Sequence, residues 1–436
     1  LTTFGSYLFW IVYLIILLTV SLLACSSDKR GNTYKMSEGN AARNHYYDID
    51  GPTDIKGLTI IKIDSLLVTK GISGTPVFYD NSDLVVTSNN GKIVYLKEGE
   101  MDWVFTVDST APSISPPASD SAGNIFFGAG SNLVYSITGR GKLNWKCELE
   151  SAPNQSTSAQ AQYITSPLIY GGCLYVGTST GWLYCLTLDG KMKWKFRTNN
   201  PVMSPIALTK DERLIAVASN FEFSKTDTIF CLDMEGNLLW KTPVPNARLY
   251  EGPAVDDWGN TIVAGSVDAQ SGREHHIYSI SSNGSLNWSC KLDVVIHGIA
   301  IDQSRNIYVS GFVMNATETY SKLTCLNDSG KVKWETKLDA LMRYPAIITR
   351  NGYLYVYANN PFLDQEVRRA VYIFNTEGNW IDSHNMSSEK LLDFAPVLNA
   401  KKEIAFVSRA DGAVYIFSSP AWSLDFLGGG GEQKKE

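Results

Sequence analysis

Eight of the eleven tryptophans return at nearly constant intervals along the 436 residues. Trp103, Trp145, Trp194, Trp240, Trp288, Trp334, Trp380 and Trp422 are spaced by 42, 49, 46, 48, 46, 46 and 42 residues. Trp10, Trp182 and Trp258 fall outside the series. A large aromatic recurring at this period demands a repeated structural unit of about 45 residues.

The units share one internal order. Each opens with a small residue, often before Pro, and a short apolar run: Ser166-Pro167-Leu168-Ile169, Gly252-Pro253-Ala254-Val255, Tyr344-Pro345-Ala346-Ile347. A turn such as Asp256-Asp257-Trp258-Gly259-Asn260 leads to an apolar strand, for example Leu174-Tyr175-Val176. A loop then leads to a third strand such as Leu183-Tyr184-Cys185-Leu186. A glycine turn brings in the tryptophan strand, as in Asp189-Gly190-Lys191-Met192-Lys193-Trp194. Val, Ile, Tyr and Phe suit a pleated, half-buried surface, and Asp, Asn and Gly supply the turns. Past Ala24 no long 3.6-residue apolar period is seen.

Four short strands per unit define a propeller blade, and eight units close a ring. The fold expected is therefore all-β: an eight-bladed β-propeller of four-stranded antiparallel blades over residues 57–426. Length alone would have suggested about three domains. Each tryptophan is expected on the outer strand, covering the seam to the neighbouring blade, with Trp103, Trp145, Trp194, Trp240, Trp288, Trp334 and Trp380 as structural residues. The last unit is irregular. Leu58–Asp64 reads as a spare strand that joins it and closes the ring, and residues 427–436 read as a flexible tail.

Composition narrows the function. With 44% hydrophobic and 19% charged residues the chain is not disordered. Lys and Arg number 38 against 44 Asp and Glu, a net charge of −6 without a basic cluster. A nucleic-acid partner is not expected. Tyr7–Ala24 is an uncharged stretch about 27 Å long as a helix. It reads either as a signal anchor or as a secretory signal peptide over residues 1–24. Residues 25–56 read as an irregular polar tether.

Of seven cysteines, Cys185, Cys231 and Cys325 share one third-strand slot, held by Ser136 and Ser279 in other units. A small buried residue is the reading there. A hairpin symmetric about Ser179 would set Cys173 opposite Cys185 and permit one disulfide. The histidines are scattered, and the neighbouring pair His275-His276 is too few ligands for a structural metal site.

Residues 189–194 and 328–334 resemble the pyrroloquinoline-quinone-like propeller repeat, and the resemblance extends over about residues 57–426. Leu22-Leu23-Ala24-Cys25 resembles the bacterial lipobox. That resemblance implies cleavage before Cys25 and acylation of its thiol, and Ser26 resembles the type sorted to the outer membrane. Together these features are similar to BamB-like outer-membrane lipoproteins. The implication is a monomeric, non-catalytic, lipid-anchored scaffold that binds protein partners in the cell envelope, on its periplasmic side or at the surface. Envelope protein assembly is the role it suggests.

Quinone-dependent dehydrogenases share the repeat, and many hold a vicinal disulfide under the cofactor. Here no two cysteines are adjacent and no carboxylate set stands at ligand spacing, so no cofactor, metal or catalytic residue is assigned. A carbohydrate-binding or carbohydrate-processing lipoprotein is the alternative, because aromatic loops also suit sugar rings.

In such a blade the B–C and D–A loops share one face of the ring. In units four to seven these read as long and irregular: Asn220–Asp227, Val267–His276, Phe312–Tyr320 and Asn359–Arg369. Variable loops on a rigid scaffold are where binding concentrates. The residues expected to anchor a partner are Phe221, Phe223, Arg248, Tyr250, Arg343, Phe362, Arg368 and Arg369.

Overall fold

In the computed structural model the described residues are 39–419, apart from 66, 81, 109–113, 131, 151–162, 220–225, 271, 315–318, 360–369, 387–391 and 410–411. They form eight antiparallel blades around an axis, each of four strands labelled A to D from the axis outward. Blade 1 runs through Val77–Asp80, Asp83–Thr87, Lys92–Lys97 and Glu100–Thr106. Blade 5 uses Ala247–Val255, Thr261–Ala269, Gly272–Ile280 and Leu286–Leu292. Blade 6 uses Val295–Ile301, Ile307–Met314, Thr319–Leu326 and Val332–Leu338.

Blade 8 is composite. Its strands Asp393–Leu398, Ile404–Ser408 and Ala413–Ser418 come from the end of the ring, and its outermost strand is Gly57–Lys62. That strand pairs antiparallel with the last, Gly57 opposite Ser418 and Lys62 opposite Ala413. The spare strand expected from the sequence does close the ring.

Strands B and C are buried along almost their whole length, whereas strand D alternates between exposed and half-buried residues. The buried side chains gather in clusters that bridge neighbouring blades. One joins Ile215 and Ile229 of blade 4 to Val255 and Val263 of blade 5. Another joins Ile262 and Ile277 of blade 5 to Ile307 and Val309 of blade 6.

The tryptophans build the seams in a way that spacing alone does not disclose. A β-bulge precedes Trp103, Trp145, Trp194, Trp240, Trp288 and Trp334; Trp103 stands opposite Tyr95, and for the other five the residue opposite on strand C is the small slot: Trp145–Ser136, Trp194–Cys185, Trp240–Cys231, Trp288–Ser279 and Trp334–Cys325. Each indole then reaches the C–D turn of the next blade. Nε1 of Trp103, Trp145, Trp194, Trp240, Trp288 and Trp334 donates to the carbonyls of Gly139, Leu188, Met234, Ser282, Asp328 and Thr376, at 2.8–3.0 Å. Two residues further on stands a glycine under the ring. A Cβ on Gly236 or Gly284 would lie 2.6 or 2.8 Å from the indole, and both have φ near +86°. Only glycine satisfies the turn and the close approach together.

Trp380 departs from the pattern. It follows its turn glycine, Gly378, by two residues where the other six follow by four. It therefore pairs with Phe374, Asp382 takes the tryptophan slot, and the Trp380 side chain is 63% exposed. It does not cover a seam. At the seam from blade 8 to blade 1 no indole stands among the described residues, and Ile61 lies there against Gly99. Trp422 lies outside the described residues.

Two further expectations change. In the Cys173–Cys185 hairpin, Cys185 faces Tyr175 and Cys173 faces Thr187, so the hairpin centres on Thr180, one residue later than the expected Ser179. Both thiols are free. Residues 39–56, taken from the sequence as tether, are packed into the ring. The carbonyls of Ala41, Ala42, Asn44 and His45 accept hydrogen bonds from the amides of Leu208, Val255, Ile301 and Ile348. Those amides lie at the turn ends of strand A in four successive blades, 4 to 7. Arg43 and His45 both have φ of 54°, left-handed turns within the segment whose carbonyls meet these donors.

Candidate functional site

The two faces of the ring differ in relief. On the turn face the A–B and C–D turns are short. On the loop face, among the described residues, blades 5 and 6 project beyond the ring. Their B–C connections are not irregular loops but extensions of the sheet. Strands B and C of blade 5 stay paired from Thr261–Ile280 out to Ala269–Gly272, and those of blade 6 from Ile307–Leu326 out to Met314–Thr319. Two adjacent hairpins therefore stand above the ring, held by ladder hydrogen bonds.

The side chains between these hairpins form a continuous aromatic and basic cluster. Tyr250 Oη lies 2.9 Å from His275 Nδ1. The His297 ring stacks on Phe312 with centroids 4.4 Å apart and planes 4° from parallel. The Arg343 guanidinium sits over the other reach of Phe312, 5.6 Å from its centroid. On the flank, Lys337 covers Tyr320 at 4.0 Å. Lys322 bridges Asp293 and Glu335 at 2.7 and 3.1 Å.

Burial sets the charge state of this cluster. It depresses His297 to about 4, helped by Arg343 and then His275. His275 is lowered for the same first reason, then by Arg273 and His276. Burial also raises Tyr250. At neutral pH the histidines and Tyr250 are thus uncharged, and Arg343 presents its cation beside them. Flat, rigid, amphipathic rings next to a guanidinium match the chemistry of interface hot spots.

The crossovers into this face are pinned. Asp227 is fully buried and its carboxylate accepts from Ser219 Oγ at 2.6 Å and from the Leu249 amide at 2.7 Å. At the matching position of blade 6, Ser321 Oγ accepts from the Met342 amide at 2.7 Å. These contacts fix the start of strand A in blade 5, which carries Arg248 and Tyr250, and the D–A loop that carries Arg343.

Of the anchors expected from the sequence, Tyr250 and Arg343 enter the cluster, and Arg248 lies beside it on strand A of blade 5, opposite Ser266. Phe221, Phe223, Phe362, Arg368, Arg369 and Cys25 lie outside the described residues. Sequence reasoning missed His297 and Phe312 as partners. His297 sits in the bulge between Ile296 and Gly298, and Phe312 pairs opposite Val295 on the neighbouring strand.

Metal chemistry finds little footing. His275 and His276 are adjacent on one strand and so point to opposite sheet faces, and His276 Nε2 faces Glu274 at 3.4 Å. Among the described residues no group of three His, Cys, Asp or Glu side chains is placed to hold an ion. A surface groove of about 630 Å³ lies on the opposite face between blades 6 and 7 and mixes Lys333 and Arg350 with Asp302 and Glu377.

Fold and site define a propeller of quinoprotein-type repeats with a built loop face. Residues 179–419 match the sequence family described as outer membrane protein assembly factor BamB, and the chain belongs to that family. No curated protein matches in sequence. Among solved structures, BamB from Moraxella catarrhalis is similar, with a TM-score of 0.57 and 19% identity over 84% of this chain and 99% of that one. The computationally designed protein Ika8 is similar in fold too, at a TM-score of 0.57 and 12% identity over 83% of this chain and 100% of its own.

Proposed function

We propose that this protein is a non-catalytic scaffold, anchored through an acylated Cys25 to the outer membrane, that holds a protein partner of the cell envelope on its loop face. Assembly of outer-membrane proteins is the setting, in keeping with the family to which the chain belongs. The observation that carries the reading is the pair of ladder-stiffened hairpins on blades 5 and 6 with the Tyr250–His275–His297–Phe312–Arg343 cluster between them. A preorganised aromatic surface loses little conformational freedom on binding, so its contact area converts more fully into affinity. Phe221, Phe223, Phe362, Arg368 and Arg369, expected on this face from the sequence and outside the described residues, are proposed as further anchors.

The test is co-purification from solubilised envelope. Phe312→Ala with Arg343→Ala is expected to release partners that the parent retains, while the melting temperature stays near that of the parent. Full retention of every partner by this folded variant, and by Phe362→Ala with Arg368→Ala, removes the loop face from the reading.

A further inference from the structure

We propose that the protein sits on its membrane with the turn face toward the lipid headgroups and the loop face pointing away. This rests on the anchor at Cys25 proposed above.

The route of the chain carries the inference. Residues 41–45 lie across the axis at the turn ends of strand A in blades 4 to 7, as their hydrogen bonds to Leu208, Val255, Ile301 and Ile348 show. Gly39 packs directly against His45 and Tyr47. Beside this segment the Arg43 and His45 side chains line a pit with Ser204, Gly252 and Ile299. Arg43 is 2% exposed and donates to the carbonyls of Ile206 and Pro167 at 3.2 and 3.0 Å. The chain thus meets the ring at the centre of the turn face. It then crosses that face outward: Arg350 pairs with Asp50 at 3.1 Å, and Gly57 starts the outer strand of blade 8 at its turn end.

Reach decides the orientation. Fourteen residue steps separate Cys25 from Gly39. Fully extended they span at most about 50 Å, and as a flexible coil about 20 Å. With the turn face down, the coil length suffices. With the loop face down, the same steps must cross a blade, about 20 Å from the axis at about 4.8 Å per strand, and then climb it. Strands of six to nine residues add about 20–30 Å at about 3.3 Å each. That path uses the whole taut chain and leaves it no conformational freedom.

The rim of the turn face suits the same neighbour. In blades 2 to 7 the first residue of strand D, directly after the C–D turn, is an exposed apolar side chain, from Leu238 at 42% to Trp380 at 63%, and in blade 1 Met101, the second residue, takes that place. On an A–B turn of that face Trp258 is 68% exposed, with Arg305 stacked 3.3 Å from its ring. Singly these residues are ordinary. At one height around the ring they lie where a headgroup layer, about 5–10 Å deep, reaches them.

The experiment uses the full acylated chain, with Cys147→Ser and Cys290→Ser, in vesicles of phosphatidylethanolamine and phosphatidylglycerol carrying a headgroup energy acceptor. A donor dye is placed at Lys401→Cys, on the blade 8 A–B turn, or at Gln270→Cys, at the tip of the blade 5 hairpin. Transfer to the lipid is expected to be several-fold stronger from position 401. Equal or stronger transfer from position 270 in an acylated, vesicle-bound chain overturns the orientation alone. A chain whose mass shows no acyl groups on Cys25 and that does not float with vesicles overturns the anchor, and the orientation falls with it.

Discussion

An indole laid over a glycine is the smallest unit that holds one blade to the next. It combines apolar burial with a directed hydrogen bond, and the glycine below tolerates it because its φ excludes other residues. Trp240→Ala is expected to lower unfolding stability by about 2–4 kcal/mol, through lost packing and the lost bond to the Ser282 carbonyl. Gly284→Ala should cost about 1–3 kcal/mol, because its Cβ would meet that same ring at 2.8 Å with φ at +87°. Trp380→Ala should cost under about 1 kcal/mol, since that exposed ring has only an edge contact with Tyr372. Urea unfolding of the three variants checks the order.

The sequence displays all these tryptophans alike. Only the two residues missing between Gly378 and Trp380 separate the last from its peers, and period arithmetic averages over them.

On the axis, His45 is 4% exposed, its Nδ1 has no hydrogen-bond partner, and burial with Arg43 nearby lowers it to about 3. In the unfolded chain its ordinary value is about 6.5. The folded state therefore favours the neutral ring. This contribution is complete above pH 6.5 and is lost as the pH falls toward 3, at about 1.4 kcal/mol per unit. His297 adds the same sign down to about 4. His45→Asn should flatten the acid limb of a stability–pH curve; an unchanged slope would show that His45 is not held neutral.

At the level of strands, the ring is uneven. Among the described residues six seams carry the indole contact, and the two that flank blade 8 do not. Blade 8 also lacks a C–D turn, because its outer strand arrives from the other end of the chain. Amides of Ala413–Ser418 and Gly57–Lys62 should exchange with solvent earlier than those of Thr261–Ala269 in blade 5, where every seam is complete. Uniform protection around the ring would contradict this. A chain beginning at Gly57 keeps the closing strand but loses the axial segment. Its melting temperature should fall, because four backbone contacts and the Arg43 bonds go with residues 39–45.

The closing strand was legible, since Leu58–Asp64 is an apolar run with no unit of its own. The axial segment was not. It binds through backbone carbonyls and one arginine, and neither leaves a periodic mark. The raised hairpins were read as loops for a related reason. Asp268, Arg273, Glu274, His275 and His276 are polar because both faces of a projecting hairpin are wet, and they still form a ladder.

Over the whole molecule, the two faces divide the work. One is short-turned, rimmed with apolar side chains and crossed by the N-terminal segment. The other is raised, aromatic and pinned by buried polar contacts. The repeat made the ring and the existence of two faces legible, whereas the cluster that distinguishes them depends on His297 and Phe312 meeting across strands.

The most direct measurement is photo-crosslinking in the native envelope, with the reactive residue placed in turn at Tyr320 and Gln270 on the loop face and at Asn283 and Lys401 on the turn face. Discrete protein adducts from Tyr320 and Gln270, with none from Asn283 or Lys401, are the expected result. Protein adducts confined to Asn283 and Lys401 would contradict a partner held on the loop face.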